Sequence, residues 1–102
     1  MEFVNNIEKS IDELRHSMKY WSSFIEKENF EAGTLRLAPG EKDIQSPHKS
    51  DEIYFIISGN GYMNIDGKDF EIKKNHSYFV PKKTPHHIHS HTEEILAFYV
   101  LN

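Results

Sequence analysis

Three residues separate His48 from Glu52, and an imidazole and a carboxylate at that spacing are suitable donors for a divalent ion such as Zn, Mn, Fe or Ni. The same pair also fits a solvated turn, so its setting decides its meaning. The chain has no Cys, which excludes disulfides, thiolate zinc sites and thiol nucleophiles and leaves only nitrogen and oxygen donors for a metal. Histidine is plentiful, with seven in the chain and four of them between His86 and His91. Side chains of a strand alternate faces, so Ser46, His48, Glu52, Tyr54 and Ile56 point the same way if the strand path continues across the turn at 49–51. Tyr54 is then a weak catalytic candidate, its hydroxyl able to orient a substrate or give a proton, although a Tyr in such a place is more often core.

By the same parity, an inward His86 takes Ile88 and Ser90 with it and sends His87, His89 and His91 to the opposite face. Those three read as a solvated or intersubunit stripe, with a second metal or a pH-sensitive interface as the functional alternative. Tyr62, Met63, Phe79, Phe98 and Tyr99 are candidates for an apolar wall, half of them facing inward by alternation.

The elements that position these groups are short. Ile7, Ile11, Leu14, Met18, Trp21 and Ile25 recur every three or four residues, which predicts a helix over about residues 6–20, with Asn5 and Glu8 as a capping box. Tyr20 to Phe24 suits a strand equally well. The helical stripe reads as packing over one end of the main domain or a subunit interface. After Gly33 the texture changes to runs of β-branched and aromatic residues stopped by Pro39-Gly40, Gly59-Asn60-Gly61 and Asp66-Gly67, the last a tight-hairpin signal. Strands are predicted at 30–37, 53–57, 62–65, 70–72, 78–80, 86–91 and 95–101, a spacing that argues for a closed all-β jelly-roll barrel. The expected organisation is a helix and lead-in over residues 1–28 and a barrel over 29–102, one domain in all.

Ser46-Pro47-His48, Asp51-Glu52 and Ser58-Gly59 together resemble the first motif of the cupin superfamily, G(X)5HXH(X)3,4E(X)6G, with His48, Glu52 and Gly59 matching its latter part. The family's first His falls on Ser46. The second motif, G(X)5PXG(X)2H(X)3N, aligns with Asn75, Pro81, Lys83, His86 and Ser90, keeping its Pro and its His. The resemblance covers roughly residues 30–101. It implies a jelly roll, or double-stranded β-helix, that holds one divalent ion (Zn, Fe, Mn or Ni) through His48, Glu52 and His86. Two imidazoles and a carboxylate are also the composition of the facial triad of non-haem iron enzymes, with positions left for water, substrate or oxygen. Gln45 or Ser46 is the candidate for a weak fourth ligand. Such a site carries a net charge near +1 with both imidazoles neutral, which favours an anionic or enolate-like ligand.

Three functions follow as expectations. The first is a metal-dependent enzyme on a small molecule, an oxygenase, isomerase or lyase. The second is a module that binds metal or a small ligand without turnover, and the third is an interaction scaffold without metal. The reading leans to the enzyme. A net charge of −4 with scattered Lys and Arg gives no footprint for nucleic acid or an anionic membrane. No apolar run reaches signal-peptide or membrane-spanning length, so a cytoplasmic protein is expected. A homodimer is the default that the resemblance implies, with the apolar helix stripe helping to seal it.

Overall fold

A computed structural model describes residues 3–45 and 47–102. Among these residues the chain forms one helix, α1 (Ile7–Arg15), followed by strands β1 (Trp21–Lys27), β2 (Phe30–Leu37), β3 (Glu52–Ser58), β4 (Tyr62–Ile65), β5 (Lys68–Glu71), β6 (Ser77–Val80), β7 (His86–His89) and β8 (Ile95–Leu101). They assemble into a five-stranded sheet, β1-β2-β8-β3-β6, and a three-stranded sheet, β5-β4-β7. Every pairing is antiparallel. Leu35, Leu37, Tyr54 and Ile56 from the larger sheet meet Met63 and Ile88 from the smaller in a single buried cluster. This is the predicted jelly-roll arrangement. Tyr54, Leu37, Ile56, Met63 and Ile95 are each 0% exposed, and burial of an aliphatic side chain of that size contributes about 1.5–3 kcal/mol.

Backbone sterics set the turns. Asp66 and Gly67 both take positive φ, 53° and 83°, the twist that a two-residue hairpin requires to join β4 to β5. Gly59, the glycine of the first motif, has φ of 124°, and a Cβ there would lie 2.6 Å from Ile95 Cδ1 and 2.9 Å from the Glu94 carbonyl oxygen. Only glycine lets the end of β3 pass so close to the start of β8.

Four expectations change. The helix ends at Arg15, with His16 as its C-cap, rather than at 20. Tyr20 docks on β2 through the Arg36 N–H, 2.7 Å from the Tyr20 carbonyl oxygen, and strand pairing of β1 with β2 takes over from there. Met18 is left fully exposed. The N-cap is Asn6, whose side chain accepts from the Lys9 N–H at 3.1 Å, so the Asn5 capping box is not formed. The helix covers β2, with the Ser10 and Thr34 hydroxyls 2.7 Å apart and Ile11 and Leu14 buried.

The third change concerns His48. Strand β3 begins only at Glu52, so His48 stands in the preceding loop and not on a continuous strand with Glu52 and Tyr54. The fourth is His91. Ser90 has φ of 59°, which breaks the alternation and turns His91 inward to 5% exposure, so it does not share the outer stripe of His87 and His89. Neither ring nitrogen of His91 has a hydrogen-bond partner among the described residues. Of the five wall candidates, Met63 and Tyr99 are buried, while Tyr62 and Phe79 are exposed and Phe98 is half-buried.

Candidate metal centre

Alternation along β3 turns Glu52, Tyr54 and Ile56 into the interior, and alternation along β7 does the same for His86 and Ile88. The loop between β2 and β3 supplies the remaining groups. It is held by the Lys83 N–H, which donates to the His48 carbonyl oxygen at 2.6 Å, and by Asp43, whose Oδ2 accepts from the Ile88 N–H at 2.8 Å. Two sheets and one loop thus converge on a single point.

There the ligand atoms of His48, Glu52 and His86 lie within 4.8 Å of one another. Glu52 Oε1 is 3.3 Å from His48 Nε2 and 3.4 Å from His86 Nε2. Metal bonds of about 2.1 Å place adjacent ligand atoms about 3.0–3.5 Å apart, so these separations suit one ion between them. Glu52 is 4% exposed, and its Oε1 is buried with no hydrogen-bond partner among the described residues. A buried carboxylate oxygen without a donor is costly unless a cation meets it. The donors present therefore fit a divalent ion, and the cluster is one that can hold a metal.

The tautomer of His86 follows from its other nitrogen. Nδ1 lies 2.9 Å from the Thr84 carbonyl oxygen and can only donate there, which leaves the neutral ring with a lone pair on Nε2, facing Glu52. His86 titrates above the ordinary imidazole value: burial works against its charged form, and the Glu52 carboxylate with the Thr84 carbonyl outweighs that. A proton thus competes with a metal for this nitrogen.

Gln45 completes the cluster. Its Nε2 donates to Asp43 Oδ1 at 2.9 Å, which turns Oε1 toward His48 Nε2 at 3.2 Å. The Tyr54 hydroxyl donates to the same Gln45 oxygen at 3.0 Å and lies 3.2 Å from His86 Nε2. Burial, and then the Glu52 charge, push the Tyr54 phenol well above its ordinary value, so it stays protonated. Ser46, the other suggested fourth donor, lies outside the described residues.

A cavity of about 330 Å³ adjoins the cluster, reached by Gln45, His48 and Glu52 on one side and walled by Tyr20, Trp21, Leu35 and Ile44. Tyr54 is not part of its lining. Sequence reasoning gave two groups no role. Asp43 carried a signal in its position two residues before Gln45, while Glu31, also on the cavity wall, carried none beyond strand parity. His87 and His89 stand on the outer face of β7, where His89 Nε2 is 2.8 Å from Asp69 Oδ1. They take no part in the cluster.

The cupin-domain family pattern matches residues 33–102. An uncharacterized protein of Methanocaldococcus jannaschii is 44% identical over 50 residues, 48% of this chain, and the match spans only 40% of that protein. An RmlC-like cupin from Shewanella frigidimarina superposes with a TM-score of 0.74 at 14% identity, over 83% of this chain and 78% of that one. A Photorhabdus luminescens protein superposes with a TM-score of 0.73 at 22% identity, over 99% of this chain and 87% of that one. At these identities the two structures speak to the fold alone. Since the family pattern spans both motif segments and more than half of the chain, the chain belongs to the cupin family.

Proposed function

We propose that the chain is a metal-dependent enzyme acting on a small molecule, with one divalent ion (Zn, Fe, Mn or Ni) held by His48, Glu52 and His86 and with Gln45 as a fourth, weaker donor. The observation that carries this reading is the orphaned Glu52 Oε1, buried between two imidazole nitrogens at 3.3 and 3.4 Å. When bound, the ion supplies Lewis-acid polarisation of a substrate oxygen. The chain does the rest. Thr84 fixes the His86 tautomer, Asp43 aims the Gln45 oxygen, and Tyr20, Trp21, Leu35 and Ile44 give the bound ligand an apolar side to pack on. Tyr54 serves as a positioning residue, because its hydroxyl donates to Gln45 and does not line the cavity.

That commitment of Tyr54 also favours a second reading, a module that binds without turnover. Elemental analysis of untagged protein, wild type against His86→Ala, decides first: metal in the wild type and little in the variant is expected, and near-zero metal in both overturns the metal centre. Metal-dependent loss of substrate or uptake of oxygen in a small-molecule screen then separates the enzyme from the module.

For the assembly we propose a homodimer through the outer face of the five-stranded sheet, since Ile11 and Leu14 of the α1 stripe are already buried within the chain. Ile53 stands opposite Phe79 and Val100 there, Phe55 opposite Phe98, and Phe98 stacks on Phe24 at 5.9 Å. An apolar patch of this kind on a soluble surface marks a contact.

A further inference from the structure

The cavity beside the cluster has a second charged wall. Leu101 on β8 is the register partner of both Glu31 on β2 and Glu52 on β3, so the two glutamates stand level with each other, two strands apart on the inner face of one sheet. At about 4.8 Å per strand their backbones are about 10 Å apart. Both side chains line the cavity, and no Lys or Arg does among the described residues.

Glu31 is built into place. Gly33 lies between Glu31 and Leu35 on this face and opposite Tyr99, and a Cβ there would come 2.7 Å from the Tyr99 hydroxyl. With no side chain at 33, the phenol crosses the strand and donates to Glu31 Oε2 at 2.7 Å. Tyr99 is 4% exposed, and burial with the Glu31 charge raises its phenol, so it remains a donor. The other oxygen of Glu31 takes no hydrogen bond from the described residues. Tyr20 and Trp21 line the same cavity.

We propose that the cavity binds a small zwitterion, its anionic oxygen at the His48 and Glu52 end and its ammonium nitrogen on Glu31, which Tyr99 holds in place across Gly33. This rests on reading His48, Glu52 and His86 as the metal centre. That end is then close to one positive charge, and Glu31 supplies one negative, so each end of the ligand meets its opposite. On the lining of this cavity a dianion finds no second cation, Lys27, Lys49 and Lys82 lining instead a neighbouring cavity that shares Glu31 and Leu101, and a plain fatty acid leaves the Glu31 carboxylate facing apolar carbon.

The test uses the full chain loaded with Zn, and calorimetry with two pairs of probes. The first pair is δ-aminovalerate against valerate, which differ only in the ammonium group. Wild type is expected to prefer δ-aminovalerate by about tenfold or more, as a charge-assisted hydrogen bond provides. Glu31→Gln is expected to erase the preference while leaving metal content and circular dichroism unchanged, and Tyr99→Phe to reduce it. The second pair, n-pentylammonium against n-pentanol, reads Glu31 without any metal-binding oxygen. Absence of metal with the amine still preferred overturns the metal centre and leaves the Glu31 site standing. No preference for either amine in wild type, no binding by any of the four compounds, or a preference that survives Glu31→Gln overturns the proposal.

Discussion

Asp43 accepts from the Gln45 side-chain nitrogen with both carboxylate oxygens, at 2.9 and 3.2 Å, and so decides which end of that amide faces His48. Reversed, the amide would aim two N–H donors at His48 Nε2 and at any cation beside it. Asp43→Asn introduces an amide that can donate as well as accept, and the preference of Gln45 for one orientation is lost. Metal affinity is expected to fall about ten- to a hundredfold, as for other partners that orient ligands. A chelator competition titration measures it. Unchanged affinity would remove Gln45 from the donor set.

Glu94 ties α1 to the sheet. Its two oxygens take hydrogen bonds from Arg15 Nη2 at 2.7 Å and Arg36 Nε at 2.6 Å. The Arg15 hydrogen bond, with Arg36 adding to it against partial burial, lowers the carboxyl from 4.5 to about 2. A depressed folded value means that the stabilisation is present above the ordinary value and fades as the pH falls through the folded one. Wild type is therefore expected to lose stability between pH 4.5 and about 2 more steeply than Glu94→Gln. Thermal melts of the two proteins across that range check it, and amide exchange should place the loss in α1.

Local signals fixed most of the fold, since hairpin glycines and alternation depend on neighbours in the chain. Strands at 30–37, 62–65 and 95–101 coincide with β2, β4 and β8, and Asp66-Gly67 forms its hairpin. What eluded the sequence depends on distant partners. The helix stops early because β2 offers Tyr20 a hydrogen bond, and β1 joins the sheet as an edge strand despite Ser22-Ser23 and a register shift before Ile25. His91 turns inward through one positive φ at Ser90, which no spacing rule foresees. In the site, His48, Glu52 and His86 were legible because motif spacing carries them. Glu31 was not, because it is paired to Tyr99 across 68 positions of sequence.

Gly59 and Gly40 separate conformation from crowding. Gly40 has φ of 72° and nothing within 4 Å of where an added methyl would sit, so Gly40→Ala costs only the left-handed backbone, about 1 kcal/mol. Gly59→Ala adds a clash with Ile95 Cδ1 at 2.6 Å and the Glu94 carbonyl oxygen at 2.9 Å to its φ of 124°. A loss of about 3 kcal/mol is expected, read from urea midpoints. Equal losses for the two would mean that β3 and β8 part readily at this end.

The outer sheet face carries a cluster of exposed aromatic rings. Phe55 and Phe79 are 42% and 58% exposed, on strands whose alternate residues, Glu52, Tyr54 and Val80, face the interior. A charge at Phe55 therefore leaves the cluster untouched while placing a carboxylate where two copies would meet. Burying that carboxylate without a partner costs several kcal/mol, more than a contact built from a few aromatic rings can absorb. Phe55→Glu is expected to sediment as a monomer, with wild-type metal content, while the wild type sediments as a dimer. A monomeric wild type would show that this face serves something other than a second copy. A dimeric Phe55→Glu would move the contact to another surface, with the edge strand β1 the next place to test, since among the described residues its outer side is unpaired.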